Sequence, residues 1–389
     1  MTNRWAAKRL SELPPYLFLE IDRKKREAIA AGRDVIDFGV GDPDRPTHRF
    51  IVDRMAEAIR DGANHRYALT AGMMELRRAF ADFFARRYGV NLEPASEVIA
   101  LLGGKEGIGH LPIAVVNPGD IVLVPEPGYP VYASGTIFAG GRCHTMPLRE
   151  ADGWLPVFDE IPNDVRRAAR LMWLNYPNNP TTAGATLSFF ETAVAFAREY
   201  GMLVAHDSAY GEVYFDEPPP SILQVNGAKE VAVEFHSLSK TFNMTGWRIA
   251  FAVGNAEVLA ALAKVKSNVD SGVFQAIQHA GMAALSGIDG SEMREQIAIY
   301  RRRRDMLVSG LRGAGWTINA PTATIYAWAK CPAGAGSMAV AARLLNEADV
   351  VAIPGAGFGA AGEGYLRFAL TVPEERTQEA VDRMRRLTW

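Results

Sequence analysis

Several apolar runs end in residues that could do chemistry together. Residues 171–175 lead into Tyr-Pro-Asn-Asn-Pro with Asn179; residues 203–205 lead into His-Asp-Ser-Ala-Tyr with Asp207 and Tyr210. Residues 231–235 lead into His-Ser-Leu-Ser-Lys-Thr with Ser237, Ser239 and Lys240, and residues 98–102 into Gly-Gly-Lys-Glu-Gly with Gly104 and Lys105. Arg248 stands eight residues beyond the lysine, and Arg367 lies in Tyr-Leu-Arg-Phe-Ala-Leu near the C-terminus. A lysine attacks a carbonyl only as the neutral amine, a form that desolvation and neighbouring cations favour. A guanidinium is the planar, bidentate partner of a carboxylate, and the N-terminus of a helix favours an anion. Singly these signals are modest. Lys240 alone reads as a solvated surface lysine, Asp207 as a helix N-cap, and Asn179 as a turn former before Pro180. Gly103-Gly104-Lys105 is no P-loop, since the upstream glycine spacing and a following Ser or Thr are missing.

Such residues act together only if the fold gathers them. From about residue 98 the chain alternates short apolar runs with longer amphipathic segments, the pattern of parallel strands with crossover helices. Strands are predicted at 98–102, 121–125, 171–175, 203–207, 231–237 and 248–253, apolar enough to be covered on both faces. In such open sheets ligands bind beyond the carboxyl ends of the strands, which is where the polar residues fall. Long helical patterns follow at about 256–284 and 291–314, then apolar runs at 324–328, 350–353 and 365–370 and a last helix near 373–387. A charged helix from about residue 17 to 31, ended by Gly32, precedes the whole. This organisation predicts a large domain at 45–280 and a small α+β domain formed by 1–44 and 281–389.

Composition removes several classes. A chain of 389 residues, 48% hydrophobic and 22% charged, is globular rather than disordered or fibrous. The formal net charge of −2 gives no field to attract nucleic acid or an anionic membrane. The two cysteines, Cys143 and Cys331, cannot make a disulfide scaffold or a cysteine-rich zinc site, and no metal is expected. With neither an apolar signal segment nor a membrane span, a cytoplasmic protein is expected. Arg301-Arg302-Arg303-Arg304 reads as a solvated helix face or interface rim, and His206 and His236 as packing histidines.

The order Asn179, Asp207, Tyr210, Ser-x-Ser-Lys240, Arg248, Arg367 resembles the fold type I pyridoxal-phosphate-dependent aminotransferases of class I/II, from about residue 12 to the end. The resemblance implies an α/β fold with a mostly parallel central sheet, helices on both faces and a smaller lobe. It implies pyridoxal 5'-phosphate bonded to Lys240, which then shuttles a proton, with Asp207 keeping the pyridine nitrogen protonated. Tyr210 and Asn179 would hydrogen-bond the cofactor's phenolic oxygen, and Tyr129 would stack on its ring. Arg248, Ser237, Ser239 and the Gly104 and Lys105 amides would hold its phosphate. Tyr67, in Arg-Tyr-Ala-Leu-Thr-Ala-Gly, matches a tyrosine that reaches the partner subunit's phosphate in this family, which implies a homodimer with shared sites. Arg367 would clamp the substrate carboxylate, with Gly41 as a close backbone approach opposite it.

Longer stretches, among them Leu-Pro-Pro-Tyr-Leu-Phe-Leu-Glu and Glu-Phe-His-Ser-Leu-Ser-Lys-Thr-Phe-Asn-Met-Thr-Gly-Trp-Arg, resemble LL-diaminopimelate aminotransferases. That likeness implies exchange of an amino group between glutamate/2-oxoglutarate and LL-2,6-diaminopimelate/tetrahydrodipicolinate in lysine biosynthesis, with Tyr16, Lys105 and Asn268 at the distal end of the substrate. The chain departs from the family pattern in four places. Thr70 and Ala71 occupy the positions of a glutamate that meets the distal ammonium; Gly104 replaces a common serine, Thr182 a usual glycine and Ala356 a common polar residue. An ammonium without its carboxylate costs of order 1–3 kcal/mol. Alanine, aspartate or aromatic amino-acid transamination, or C–S β-lyase chemistry, is the alternative. A pyridoxal-sensing transcription regulator would need a DNA-binding module, and no helix-turn-helix pattern is visible.

Overall fold

Strands buried on both faces must gather in the middle of the molecule, and in the computed structural model, which describes residues 5–13 and 17–389, they do. In chain order the strands are β1 (Ile36–Asp37), β2 (Val98–Leu101), β3 (Ile121–Glu126), β4 (Arg142–Pro147), β5 (Ala169–Asn175), β6 (Leu203–Asp207) and β7 (Ala232–Ser237). They continue with β8 (Ala250–Gly254), β9 (Thr317–Ile318), β10 (Tyr326–Lys330), β11 (Val350–Val351), β12 (Ile353–Pro354) and β13 (Tyr365–Ala369). The large sheet has the order β2-β8-β7-β6-β5-β3-β4. From β4 through β3, β5 and β6 to β7 all neighbours are parallel, while β8 runs antiparallel to both β7 and β2. The expected α/β fold with a mostly parallel sheet is therefore present.

Register does the positioning. Asn175 pairs with Asp207 across β5 and β6, and Asp207 with Phe235 across β6 and β7, so the polar ends of three strands finish at one edge.

Three differences from the sequence expectation have physical causes. Strand β4 was not predicted, because its first residues face solvent at the sheet edge and it lacks the apolar run of a central strand. Strand β8 begins at Ala250 rather than 248, because Arg248 is left-handed at φ 57°, ψ 57° and cannot join a ladder. The pattern at 256–284 is two helices, Ala256–Val269 and Gln275–Ser286, separated by a segment in which Gly272 lies against the Leu69 backbone, where a β-carbon would not fit.

The remaining strands form an antiparallel sheet of order β12-β13-β10-β9 and a parallel β1-β11 pair. An apolar cluster of their own joins them to the helices Ser291–Gly313 and Glu374–Arg385 through Tyr300, Leu307, Phe368, Val381 and Met384. Tyr210, Val213 and Phe215 reach into that cluster from beyond β6, so the two cores meet at the site. The four consecutive arginines do not share one environment. Arg302 is exposed and Arg301 half-buried, but the Arg303 side chain is only 4% exposed and that of Arg304 only 11%, since steps of 100° along a helix turn part of such a run inward. No described helix is long and apolar enough to cross a membrane.

Candidate active site

Where the strand ends converge, a cavity of about 340 Å³ opens. Lys240 enters it from the short helix Leu238–Thr241, which directly follows β7 and is capped by the Ser237 side chain accepting from the Ser239 amide at 3.2 Å. The Lys240 Nζ donates to the Gly41 carbonyl at 2.5 Å. Burial holds its ammonium below the usual lysine range, and Arg367 and Arg248 act in the same direction against Tyr326 and Asp42. A side chain at Gly41 would run into the Tyr326 ring, so glycine is what lets this backbone approach.

Asp207, at the end of β6, is buried. Its Oδ2 accepts from the Tyr132 hydroxyl at 2.7 Å and its Oδ1 from the Ala209 amide at 3.1 Å. Both donors are neutral. Burial pushes its carboxyl above the ordinary value, more than these hydrogen bonds pull it down. Tyr132 is itself locked by stacking on Trp173 with ring centroids 4.9 Å apart, and Asn175 donates to the Asp207 carbonyl at 2.7 Å. Behind them Glu234 is fully buried and accepts from Ser221, the Ile222 amide, His206 and His236. His206 is thus a packing histidine, whereas His236 also lines the cavity.

One end of the cavity is an anion cradle. Gly104 and Lys105 start the helix Gly104–Val115, whose free amides and dipole favour negative charge. Arg248, Ser237 and Ser239 line the same cavity. Gly103 has φ 82°, and a β-carbon there would strike the Arg248 guanidinium. Glu106 anchors the helix start by accepting from the Leu102 amide and the buried Lys266 at 3.0 Å each. His110 and Asp270 complete that ion-pair group.

Arg367 forms the other cationic wall. Its guanidinium donates to Asn179 Oδ1 at 2.9 Å and to the Gly39 carbonyl at 3.0 Å, and lies 4.1 Å from the Tyr326 ring centroid. The backbone opposite Arg367 is therefore Gly39, while the expected Gly41 meets Lys240 instead. With Asn179 Oδ1 occupied, the amide nitrogen is the donor left for a ligand. Tyr210 donates to the Tyr326 hydroxyl at 3.1 Å.

Beside this geometry stand the comparisons with known proteins. The family described as aminotransferase class I and II matches residues 33–384. The chain is 53% identical over 384 residues to the LL-diaminopimelate aminotransferase of Syntrophobacter fumaroxidans, covering 98% of this chain and 99% of that one. It is also 53% identical over 380 residues to the protein of that name from Aquifex aeolicus, covering 97% and 98%. The substrate-bound structure of BacF from Bacillus subtilis superposes with a TM-score of 0.93 at 38% identity, covering 98% of this chain and 97% of that one. The chain belongs to the class I and II aminotransferase family.

For a member of that family, the sequence nominated most of the cavity wall: Lys240, Asp207, Tyr210, Asn179, Tyr129, Gly104, Lys105, Ser237, Ser239, Arg248 and Arg367 all line it. Two nominated residues lie elsewhere in the single chain. Tyr67 is 95% exposed, and Asn268 is exposed on its helix, donating to the Lys264 carbonyl at 2.7 Å. Tyr16 lies outside the described residues. Tyr132, Tyr326 and Phe358 escaped sequence reading, and His236, read as a packing histidine, lines the cavity as well. Tyr132 carried a usable signal, one helical turn after Tyr129 in Pro-Gly-Tyr-Pro-Val-Tyr. Tyr326 and Phe358 sit in apolar surroundings that read as core.

Proposed function

We propose that the chain is a pyridoxal-5'-phosphate-dependent transaminase that exchanges an amino group between glutamate/2-oxoglutarate and LL-2,6-diaminopimelate/tetrahydrodipicolinate. What supports the cofactor is one cavity with an amine at its centre, a buried carboxylate with neutral donors at one end and an arginine-walled anion cradle at another. A cationic ring nitrogen would satisfy Asp207, and a phosphate would satisfy Arg248 with the helix start, so the residues fit the group. What supports the substrate is identity of about half over nearly the whole chain with relatives of that name.

When bound, the cofactor supplies a reactive aldehyde and an electron-accepting ring that stabilises negative charge at the substrate α-carbon. The protein's residues do the rest. Lys240, whose ammonium burial disfavours, would take the proton from the substrate α-carbon at Nζ and give it back on the product side. Asp207 holds the proton at the ring nitrogen. Asn179 would present its amide nitrogen to the phenolic oxygen, Tyr210 would do so with its hydroxyl once that proton turns away from Tyr326, and Tyr129 would cover the ring. The two substrates use one site in ping-pong order, so Arg367 would grip the α-carboxylate of each in turn. Lys105 would supply a cation for a distal carboxylate.

The active form we propose is a homodimer in which Tyr67, with Leu69 beside it also exposed, completes the partner's phosphate site. Mixing a Lys240→Ala chain with a Tyr67→Ala chain would then restore about a quarter of the wild-type sites; no restoration would exclude sharing. Closure of 1–44 with 281–389 over 45–280 would exclude water. Two free cysteines, one exposed, support a reducing cytoplasmic location. The departure at Thr70 and Ala71 favours a second substrate reading, an amino acid with no distal ammonium. A panel of donors, with diaminopimelate assayed in the direction of glutamate formation, decides. Turnover with alanine, aspartate or an aromatic acid but none with diaminopimelate would overturn the narrower assignment.

A further inference from the structure

The strap from Phe38 to Thr47 carries no regular secondary structure, yet two of its carbonyls touch the working cations: Gly39 accepts from Arg367 and Gly41 from Lys240. Irregular backbone has no ladder to fix it, so its position is set by its anchors. One is the backbone pairing of Phe38 with Val351 and Ala369. Another is Thr371, whose hydroxyl donates to the Val40 carbonyl at 2.9 Å. At its far end Thr47 donates to the Asn243 carbonyl at 2.6 Å and Asn243 to the Pro46 carbonyl at 3.3 Å, and between these ties lies an ion pair. Arg303, from the helix Ser291–Gly313, grips Asp44 with both terminal nitrogens at 2.7 and 2.8 Å and also donates to the Leu370 carbonyl at 3.2 Å. Glu374 stands 3.6 Å from its Nε.

We infer that Arg303 is a positioning residue of the active site: its fork on Asp44 fixes the strap so that the Gly39 and Gly41 carbonyls meet Arg367 and Lys240. A bidentate guanidinium–carboxylate pair fixes direction as well as distance, and taking an arginine out of water is costly where packing alone would do. Moreover Asp44 lies only three residues from Gly41, too short a tether to absorb a displacement. This inference rests on the transaminase reading of the same cavity.

The test compares the wild-type chain with Asp44→Asn, Thr371→Val and the conservative Arg303→Lys. Cofactor-free protein is mixed with pyridoxal 5'-phosphate at a series of pH values, and the rate of appearance of the visible band reports the free amine of Lys240. The groups facing that amine are Tyr326 and Asp42, which favour its ammonium, and Arg367 and Arg248, which oppose it. A loosened strap withdraws the Gly41 carbonyl and Asp42. The midpoint therefore moves by about half a pH unit in Asp44→Asn and Thr371→Val, and less in Arg303→Lys: up where water readmitted to the buried amine dominates, down where the loss of Asp42 does. The KM for glutamate rises about tenfold as Gly39 leaves Arg367. Variants that melt earlier but keep the wild-type midpoint and KM would reduce the pair to a structural one and overturn the inference. Should Asp44→Asn fail to fold, Arg303→Lys, which keeps the charge and loses the fork on Asp44, carries the test, with Thr371→Val as the comparison at a separate anchor of the strap. A wild-type chain that neither develops the band nor transaminates would instead sink the function proposed above.

Discussion

Replacing Arg367 with lysine keeps the charge and removes the fork. In the structure the guanidinium spends one nitrogen on Asn179 and one on Gly39, and lies 4.1 Å from the Tyr326 ring centroid. An ammonium is a point donor on a flexible stem and cannot meet both acceptors and a substrate carboxylate at once. Losing one charge-assisted hydrogen bond to the substrate costs about 1.5–3 kcal/mol, and losing the ring contact about 0.5–2 kcal/mol more. Together these predict a fall in kcat/KM of about thirtyfold to several-thousandfold. Because the same residue grips both substrates, the loss should be equal for glutamate and 2-oxoglutarate. Each half-reaction can be followed separately in single-turnover absorbance experiments with the wild type and Arg367→Lys. A change below threefold, or a large change for one substrate alone, would refute the assignment of Arg367 as the common clamp.

Three further outcomes follow from particular contacts. Tyr132→Phe deletes the 2.7 Å hydrogen bond to Asp207 and leaves the stacking on Trp173; the Asp207 carboxyl should rise further, and kcat should drop about tenfold with little change in KM, so a changed KM at constant kcat would contradict the role. Thr182 stands at φ 64°, a backbone that favours glycine; Thr182→Gly should stabilise the fold by about 0.5–1 kcal/mol in urea titrations, and a loss of stability would show that the hydroxyl compensates for its strained place. In the cofactor-free protein the folded state holds Lys240 below its unfolded value of about 10.5. The stability linked to this group is present above that value and lost as pH falls through the folded one. The urea midpoint of wild type should therefore climb relative to Lys240→Met across the alkaline range, and parallel curves would refute the depressed amine.

How much of this was legible in the sequence depended on what each residue answers to. Central strands such as β6 and β7 were readable because covering both faces leaves only apolar residues possible, and their polar ends then declared the site. Edge strand β4 was not, since its sequence answers to solvent. Arg303 hid for the opposite reason: within four arginines nothing local says which one turns inward, and its partner Asp44 lies 259 residues away. Tyr326 likewise serves chemistry while looking like core, because its hydroxyl faces Tyr210 and its ring faces Arg367 only once β10 is folded against the large lobe. Thr182, noted in the sequence only as a departure from the family pattern, turns out to hold a left-handed backbone, which nothing in its residue type announces.

The central claim is that the Lys240 amine bonds the cofactor. Borohydride reduction of the protein loaded with pyridoxal 5'-phosphate, followed by proteolysis and mass spectrometry, locates the reduced adduct directly. The account predicts a single phosphopyridoxyl-modified peptide containing Lys240, absent from Lys240→Ala. An adduct on another lysine, or an equal yield in Lys240→Ala, would contradict it.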